Sequence, residues 1–410
     1  MSQKTRLDIG IFDFPVEKIR RGYYTAVYFW REKIILEWRH YVKAVLMQVF
    51  QKKDAVLCGT DEAIAVLKLA SGQYRDPARA YRLFDSYLEK EREARRVRIT
   101  RNHNDLYSSR RALIDYEVEL DRLWENKFAE LIVKSLYDGD VIAPWETVMR
   151  IEGLPQYFAH LESVYLGILA RRTLVATNVS RVVKAANGKP ILFFADRFDH
   201  YGNQTGDGYA AMIGGAYGVA TDIMGEWWGK KGMGTIPHAL IACFKGDTVA
   251  ATLAFANHYP DVPCISLVDF HNDCVKTALE VAEAFKAEGL KLYGVRLDTS
   301  ETMVDESLIR DGQLGEVRPT GVNPMLVANV RRVLDRNGYD EVKIGVSGGF
   351  GVEKIVYFEK VKAPVDFYGC GSSLLKGEND FTADIVMVDD KPCVKKGRWH
   401  RPNPRLDRVE

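Results

Sequence analysis

Three aspartates stand at the ends of short apolar runs: Asp196 closes ILFFAD, Asp269 lies in PCISLVDF and Asp298 ends LYGVRLD. Two further runs end in glycine-rich turns instead, VSGGFG from Val346 and YGCGSS from Tyr368. Arg197, His200, His238 and Arg296 lie near these run ends. One aspartate after a strand is commonly a helix cap, whereas several together with cations point to a polar site. Glycines at a strand-to-helix turn let backbone N–H groups approach an anion, so Ser347, Gly348 and Gly349 with Gly371 and Ser372 suggest a phosphate site. Glycine serves tight turns for geometry alone as well. In RLDTSE, the Asp298 carboxylate can hold ribose hydroxyls or a Mg2+ ion carried by a diphosphate, and Arg296 can neutralise a phosphate or a ligand carboxylate. Phe194 and Arg197, three apart, offer a ring face and a guanidinium that suit a flat anionic heteroaromatic ligand; a core role for Phe194 is the alternative.

Such groups converge only if the elements carrying them are parallel strands. Seven runs qualify: 191–196, 218–223, 238–244, 263–270, 292–298, 342–349 and 365–371. Two helices between them are well marked. Val275, Leu279, Ala282 and Phe285 line one face of the first, and the second runs from the cap Asn323 and Pro324 to Gly338. Near-continuous apolar strands alternating with helices predict a parallel sheet buried on both faces, closed as an α/β barrel or open and doubly wound. In a barrel the strand ends meet at one mouth.

The first 70 residues predict small α+β packing, with Thr60 capping a helix from Ala63 to Leu69. Residues 71–137 are dense in charge, and Leu113, Tyr116, Leu120, Leu123, Trp124, Phe128 and Leu131 recur at helical spacing. The basic run EKEREARRVRITR has interleaved glutamates, so it reads as a solvated helix face. A second long helix pattern begins near Phe158 and ends at Gly188.

The 410 residues carry 57 basic and 56 acidic side chains, a net charge of +1, which leaves no global field for nucleic acid or an anionic membrane. No apolar stretch approaches a membrane span, and a soluble cytoplasmic protein is expected. Six dispersed cysteines predict reduced, mostly buried thiols, and His271 with Cys274 makes only a weak metal pair.

The ordered set AVYFWR, VMRIEG, FAHLESVYLGILARRT, FFADRFDH, MIGGAYGVA, GTIPHAL, LVDFHND, VRLDTSE, VSGGFG and YGCGSSL resembles nicotinate phosphoribosyltransferase, within a group that includes nicotinamide and quinolinate phosphoribosyltransferases. The resemblance runs through nearly the whole chain, with 71–137 as an enlarged helical insertion. It implies an irregular parallel α/β barrel with an N-terminal α/β sandwich. The sandwich spans 1–157, the long helix and barrel 158–379, and 380–410 returns to the sandwich.

It further implies a homodimer with shared sites, in which Tyr28 reaches the partner's barrel mouth. Phe194 and Arg197 match the positions that stack the pyridine and recognise its carboxylate. Asp269, Arg296 and Asp298 match those around phosphoribosyl diphosphate and its Mg2+, which has no cage of protein ligands. Gly348, Gly349, Gly371 and Ser372 match the 5′-phosphate loops. His238 matches a histidine phosphorylated by ATP, with ATP as co-substrate; a capping role is the alternative. Two departures flank the ring-binding region, Tyr217 and Ala26, where the family usually has acidic residues. The implied activity joins nicotinate to phosphoribosyl diphosphate in NAD biosynthesis. The alternatives are nicotinamide or quinolinate as substrate, or a non-catalytic barrel protein that binds through its insertion.

Overall fold

The computed structural model describes residues 5–100, 103–313 and 318–410. Arg101 of the basic run and the first four residues of the N-terminal start lie outside them. The chain forms two compact units, Met1–Thr173 with Asn379–Glu410, and Leu174–Glu378. The expected division at residue 157/158 thus falls instead within the helix Glu162–Ala185, and the C-terminal segment joins the first unit.

The first unit is built on an antiparallel six-stranded sheet in the order Lys391–Pro392, Thr382–Val388, Val45–Phe50, Thr147–Gly153, Ile132–Ser135, Asp407–Arg408. In the central strand Val45, Met47 and Val49 pack with Ala63, Ile64, Val66 and Leu67 of the helix Thr60–Ala70. The alternate residue Gln48 is also buried, because its amide donates to the Trp399 carbonyl and accepts from the Arg401 N–H. Both faces of the strand are thereby covered, and an alternation pattern alone hides this. Thr60 does not cap its helix with its own side chain. It is the first helical residue, and its N–H and hydroxyl both donate to the Asp138 carboxylate, at 2.7 and 2.8 Å.

The charged insertion is a helical hairpin, Pro77–Thr100 and His103–Leu123, framed by the antiparallel pair Gly72–Tyr74 and Trp124–Asn126. Leu113, Tyr116, Leu120 and Leu123 pack against Ala80, Phe84 and Tyr87 as expected. The helix stops at Leu123, however: Trp124 is in a strand, Phe128 in a 3-10 turn and Leu131 in the sheet core. A short helix, Val16–Arg20, buries Glu17, Lys18 and Arg20, and ties into the hairpin through Lys18–Glu91 (2.6 Å) and Arg20–Asp121 (2.7 Å).

In the second unit six parallel strands, numbered here within this unit, are β1 Ile191–Phe193, β2 Gly218–Val219, β3 Ile265–Leu267, β4 Gly294–Leu297, β5 Lys343–Val346 and β6 Phe367–Cys370. Their order is β3-β4-β5-β6-β1-β2, leaving edges at β2 and β3. The segment between residues 232 and 237 spans these edges: the Met233 N–H donates to the Val219 carbonyl (2.8 Å) and the Ile236 N–H to the Ile265 carbonyl (3.4 Å). Six regular strands and one irregular segment therefore make the expected irregular α/β barrel.

One expected strand is a helix. HALIACF forms His238–Cys243, preceded by extended Pro237, with Ile241 buried and Ala242 and Cys243 exposed. A short apolar run does not distinguish strand from helix by periodicity. The strand expected over 218–223 ends at Val219, and Asp222 opens the short helix Asp222–Gly225. Pro324–Arg336 begins as predicted, the Asn323 side chain accepting from the Leu326 N–H. Cys274–Ala287 buries Cys274, Ala278, Val281, Ala282 and Phe285, so Val275 and Leu279 are only half-buried. Among the described residues, no helix is long and apolar enough to cross a membrane.

Candidate active site

The C-terminal ends of the parallel strands surround a cleft of about 340 Å3, in the range of small-molecule sites. Phe194, Arg197, Arg296 and Asp298 line it, with Ser347, Gly348 and Gly349 on one side and Gly371 and Ser372 on another. Parallel strands bring these residues, spread over nearly 180 positions, to one mouth.

Backbone geometry explains the glycines. Gly348 and Gly349 have φ of +88° and +66°, in the left-handed region that β-carbons disfavour, and they lead through Gly351 into the helix Val352–Lys360. The Phe194 ring rests against β6: a β-carbon on Gly369 would come within 2.8 Å of it, and one on Gly371 within 2.8 Å of the Phe194 carbonyl.

Charge is arranged around Arg296. Its guanidinium lies 5.9 Å from the Phe194 ring centroid, donates to Thr235 Oγ1 at 2.9 Å and meets Asp298 Oδ2 at 3.3 Å. Its buried Nε has no hydrogen-bond partner among the described residues. Asp298 Oδ1 accepts from Ser347 Oγ at 2.6 Å. The arginine is thus held in place with donor capacity left over, which suits an anionic ligand.

His238 and Asp269 sit beside this cleft. His238 follows the lining residue Pro237, is 45% exposed in its side chain, and its Nε2 lies 3.0 Å from Asp269 Oδ1. Asp269 is mostly buried, and burial pushes its carboxyl above the usual range; His238 opposes this and the charge of Asp298 adds to it. Among the described residues no group of three or more His, Cys, Asp or Glu side chains forms a metal cage. Two neighbouring carboxylates, one strained by burial and like charge, fit a hard divalent ion whose other ligands are phosphate oxygens and water.

One expected site residue lies elsewhere within this unit. Tyr217 directly precedes β2, and its N–H bonds to the Ile191 carbonyl at the opening end of β1; Ala220, past the other end of β2, lines the cleft. Tyr217 is therefore at the opposite edge of the sheet. Tyr28 belongs to the other unit, exposed on the first turn of the helix Val27–Trp38. The weak metal pair is also occupied otherwise: His271 Nε2 meets the Gly246 carbonyl at 2.7 Å, and Cys274 Sγ lies 3.5 Å from Thr299 Oγ1.

Sequence reasoning did not single out Thr235 or Lys354. Thr235 stands in GTIPHAL, so its signal was available. Lys354, in the helix after the glycine turn, donates to the Gly348 carbonyl at 2.9 Å, and burial lowers its ammonium's proton affinity.

No protein-family model matches the sequence. The chain is 28% identical over 271 residues to a nicotinate phosphoribosyltransferase of Mycobacterium tuberculosis, covering 64% of this chain and 55% of that one. It is 24% identical over 245 residues to the nicotinate phosphoribosyltransferase of Bacillus subtilis, covering 59% and 45%. The chain thus spans about half the length of these relatives. Among solved structures, a nicotinate-nucleotide pyrophosphorylase from Pyrococcus furiosus matches with a TM-score of 0.69 and 29% identity, covering 97% of this chain and 85% of that one. Human nicotinic acid phosphoribosyltransferase matches in fold, with a TM-score of 0.62 and 17% identity over 92% of this chain and 77% of that one.

Proposed function

We propose that the chain is a nicotinate phosphoribosyltransferase acting in NAD biosynthesis, joining nicotinate to 5-phosphoribosyl 1-diphosphate with release of diphosphate. The carrying observation is Arg296, fixed between the Phe194 ring and Asp298 and facing a glycine turn in one cleft. The name of the M. tuberculosis relative supports the same reading, and that of the P. furiosus protein supports the nicotinate nucleotide as the species handled without choosing the pyridine substrate.

In this reading the pyridine nitrogen attacks the ribose C1 with its own lone pair, and the C1–O bond electrons leave with the diphosphate. No general base is required. Positioning and electrostatics carry the rate: Phe194 stacks the ring, Arg197 pairs with its carboxylate, Arg296 neutralises the leaving group and Asp298 holds the ribose. The turns at Gly348–Gly349 and Gly371–Ser372 take the 5′-phosphate. Asp269 and Asp298 would hold Mg2+ brought by the diphosphate, which supplies charge neutralisation on the departing oxygens. His238, exposed and oriented by Asp269, would accept the phosphoryl group of ATP and couple its hydrolysis to turnover. A homodimer would let Tyr28 complete the partner's site.

Incubation of the purified protein with phosphoribosyl diphosphate, Mg2+ and each of nicotinate, nicotinamide and quinolinate, with and without ATP, tests the assignment. Nicotinate mononucleotide formed preferentially from nicotinate supports it. Preferential turnover of another pyridine reassigns the substrate, and the absence of any mononucleotide rejects the enzyme.

A further inference from the structure

The glycine turn after β5 contains a peptide that its own residues do not hold in place. Gly348 and Gly349 carry no side chain and both have positive φ, so the peptide between them turns over with little steric hindrance. Neither N–H has a hydrogen-bond partner among the described residues. The peptide is fixed from its carbonyl side, where Lys354 Nζ donates to the Gly348 oxygen at 2.9 Å. Because the peptide is planar and trans, the Gly349 N–H points away from the carbonyl that the lysine holds. Gly348 and Gly349 line the cleft whereas Lys354 does not, so the lysine grips the turn from behind. It is itself anchored: it stands in the first turn of Val352–Lys360, and its ammonium lies 4.3 Å from the centroid of the buried Phe350 ring, which packs on Phe358 and Tyr368. Ser373 Oγ braces the next carbonyl but one, that of Phe350, at 2.6 Å.

We propose that Lys354 is a positioning residue for the phosphoryl group: by holding the Gly348 carbonyl it keeps the Gly349 N–H turned to the cleft, where an anionic ligand accepts from it. The inference rests on the phosphoribosyl reading above, because only an anion at this turn uses that donor. Lys354 acts through the backbone and not by its own contact with the ligand. The alternative, a positive charge that attracts the ligand across the turn, predicts an effect that salt screens away.

Calorimetric titration of the full chain with inorganic phosphate at low and at high ionic strength, in wild type, Lys354→Met and Lys354→Arg, separates these cases. Methionine keeps an unbranched stem against the Phe350 ring and lacks the donor. Lys354→Met is expected to bind phosphate about tenfold more weakly at both ionic strengths, the size of one charge-assisted hydrogen bond, with an unfolding midpoint near wild type. Lys354→Arg, which keeps a charged donor, should recover most of the affinity. In turnover the KM for phosphoribosyl diphosphate rises in Lys354→Met while the KM for nicotinate stays. Equal binding by wild type and Lys354→Met, a deficit that vanishes at high salt, or an equal deficit in Lys354→Arg overturns the positioning role and leaves the phosphate site standing. A collapse of the unfolding midpoint in Lys354→Met does the same, since the lysine is then a structural charge. No phosphate binding by wild type overturns the phosphate site, and this proposal with it.

Discussion

The ion network of the first unit and the cleft of the second use the same residue types in opposite ways. Around the Val16–Arg20 helix, buried charges are spent on one another: Arg20 pairs with Glu17 at 2.8 Å and Asp121 at 2.7 Å, and Lys18 with Glu91 at 2.6 Å. Lys33, nearly fully buried, donates to the carbonyls of Gly72 and Gln156 and pairs with Glu37, each at 2.7 Å. In the cleft, Arg296 keeps an unpartnered Nε, Asp298 adds to the burden on Asp269, and Arg197 is exposed. The first unit pairs its buried charges with one another, although Glu17 Oε2 and Arg21 Nε stay without a hydrogen-bond partner among the described residues, whereas the cleft holds Arg296 beside a cavity in which its unspent donor can meet a ligand.

The contrast breaks if both regions respond alike to substitution. Lys33→Ala leaves two buried carbonyls and the half-buried Glu37 carboxylate without their donor and is expected to cost about 3 to 5 kcal/mol in denaturant unfolding, with little change in cleft chemistry per folded molecule. Arg296→Ala should keep the unfolding midpoint near wild type and lose about 3 to 4 kcal/mol of transition-state stabilisation, read as kcat/KM. A large fall in stability for Arg296→Ala would place it with the structural charges.

A pH titration sharpens the same division. Burial pushes the Glu17 carboxyl up from its ordinary 4.5 to about 7, against the pull of Arg20, with Asp121 and Glu117 adding like charge and Tyr74 nearby. Between those values the folded chain keeps a proton that the unfolded chain gives up, so the Glu17 contribution to stability falls as pH rises from about 4.5 to about 7 and levels off above, while Glu162, pushed up to about 8 chiefly by burial, adds a fall of the same sign. The Glu17 part amounts to about 3 kcal/mol, and Glu17→Gln should remove that part and leave the one due to Glu162. A Glu17→Gln variant with the full wild-type fall would show that Glu17 contributes none of it. The smallest effect belongs to His238→Ala, which should retain part of the phosphoribosyl transfer and lose its stimulation by ATP; unchanged ATP coupling would return His238 to a capping role.

The cleft was more legible in the sequence than the network. Phe194, Asp269, Arg296, Asp298, Ser347 and Gly371 stand at or near the ends of apolar runs, and parallel strands turn that pattern into proximity. Asn323 and Pro324 marked their helix because a cap is a local event. Lys33 could not be read, because its burial depends on carbonyls 39 and 123 residues away. Thr60 was misassigned for the same reason, its cap partner being Asp138. HALIACF failed differently, since a short apolar run fits either period until packing selects one. Tyr217 was placed by resemblance at a mouth that its position before β2 denies it.

The central claim is that the cleft joins a phosphoribosyl group to nicotinate through Arg296. Its most direct test measures nicotinate mononucleotide formed by wild type and by a folded Arg296→Ala variant, from nicotinate, phosphoribosyl diphosphate, Mg2+ and ATP. Product from wild type and a loss of about a hundredfold or more in the variant is the expected result. No product from wild type, or equal turnover by the two proteins, contradicts the account.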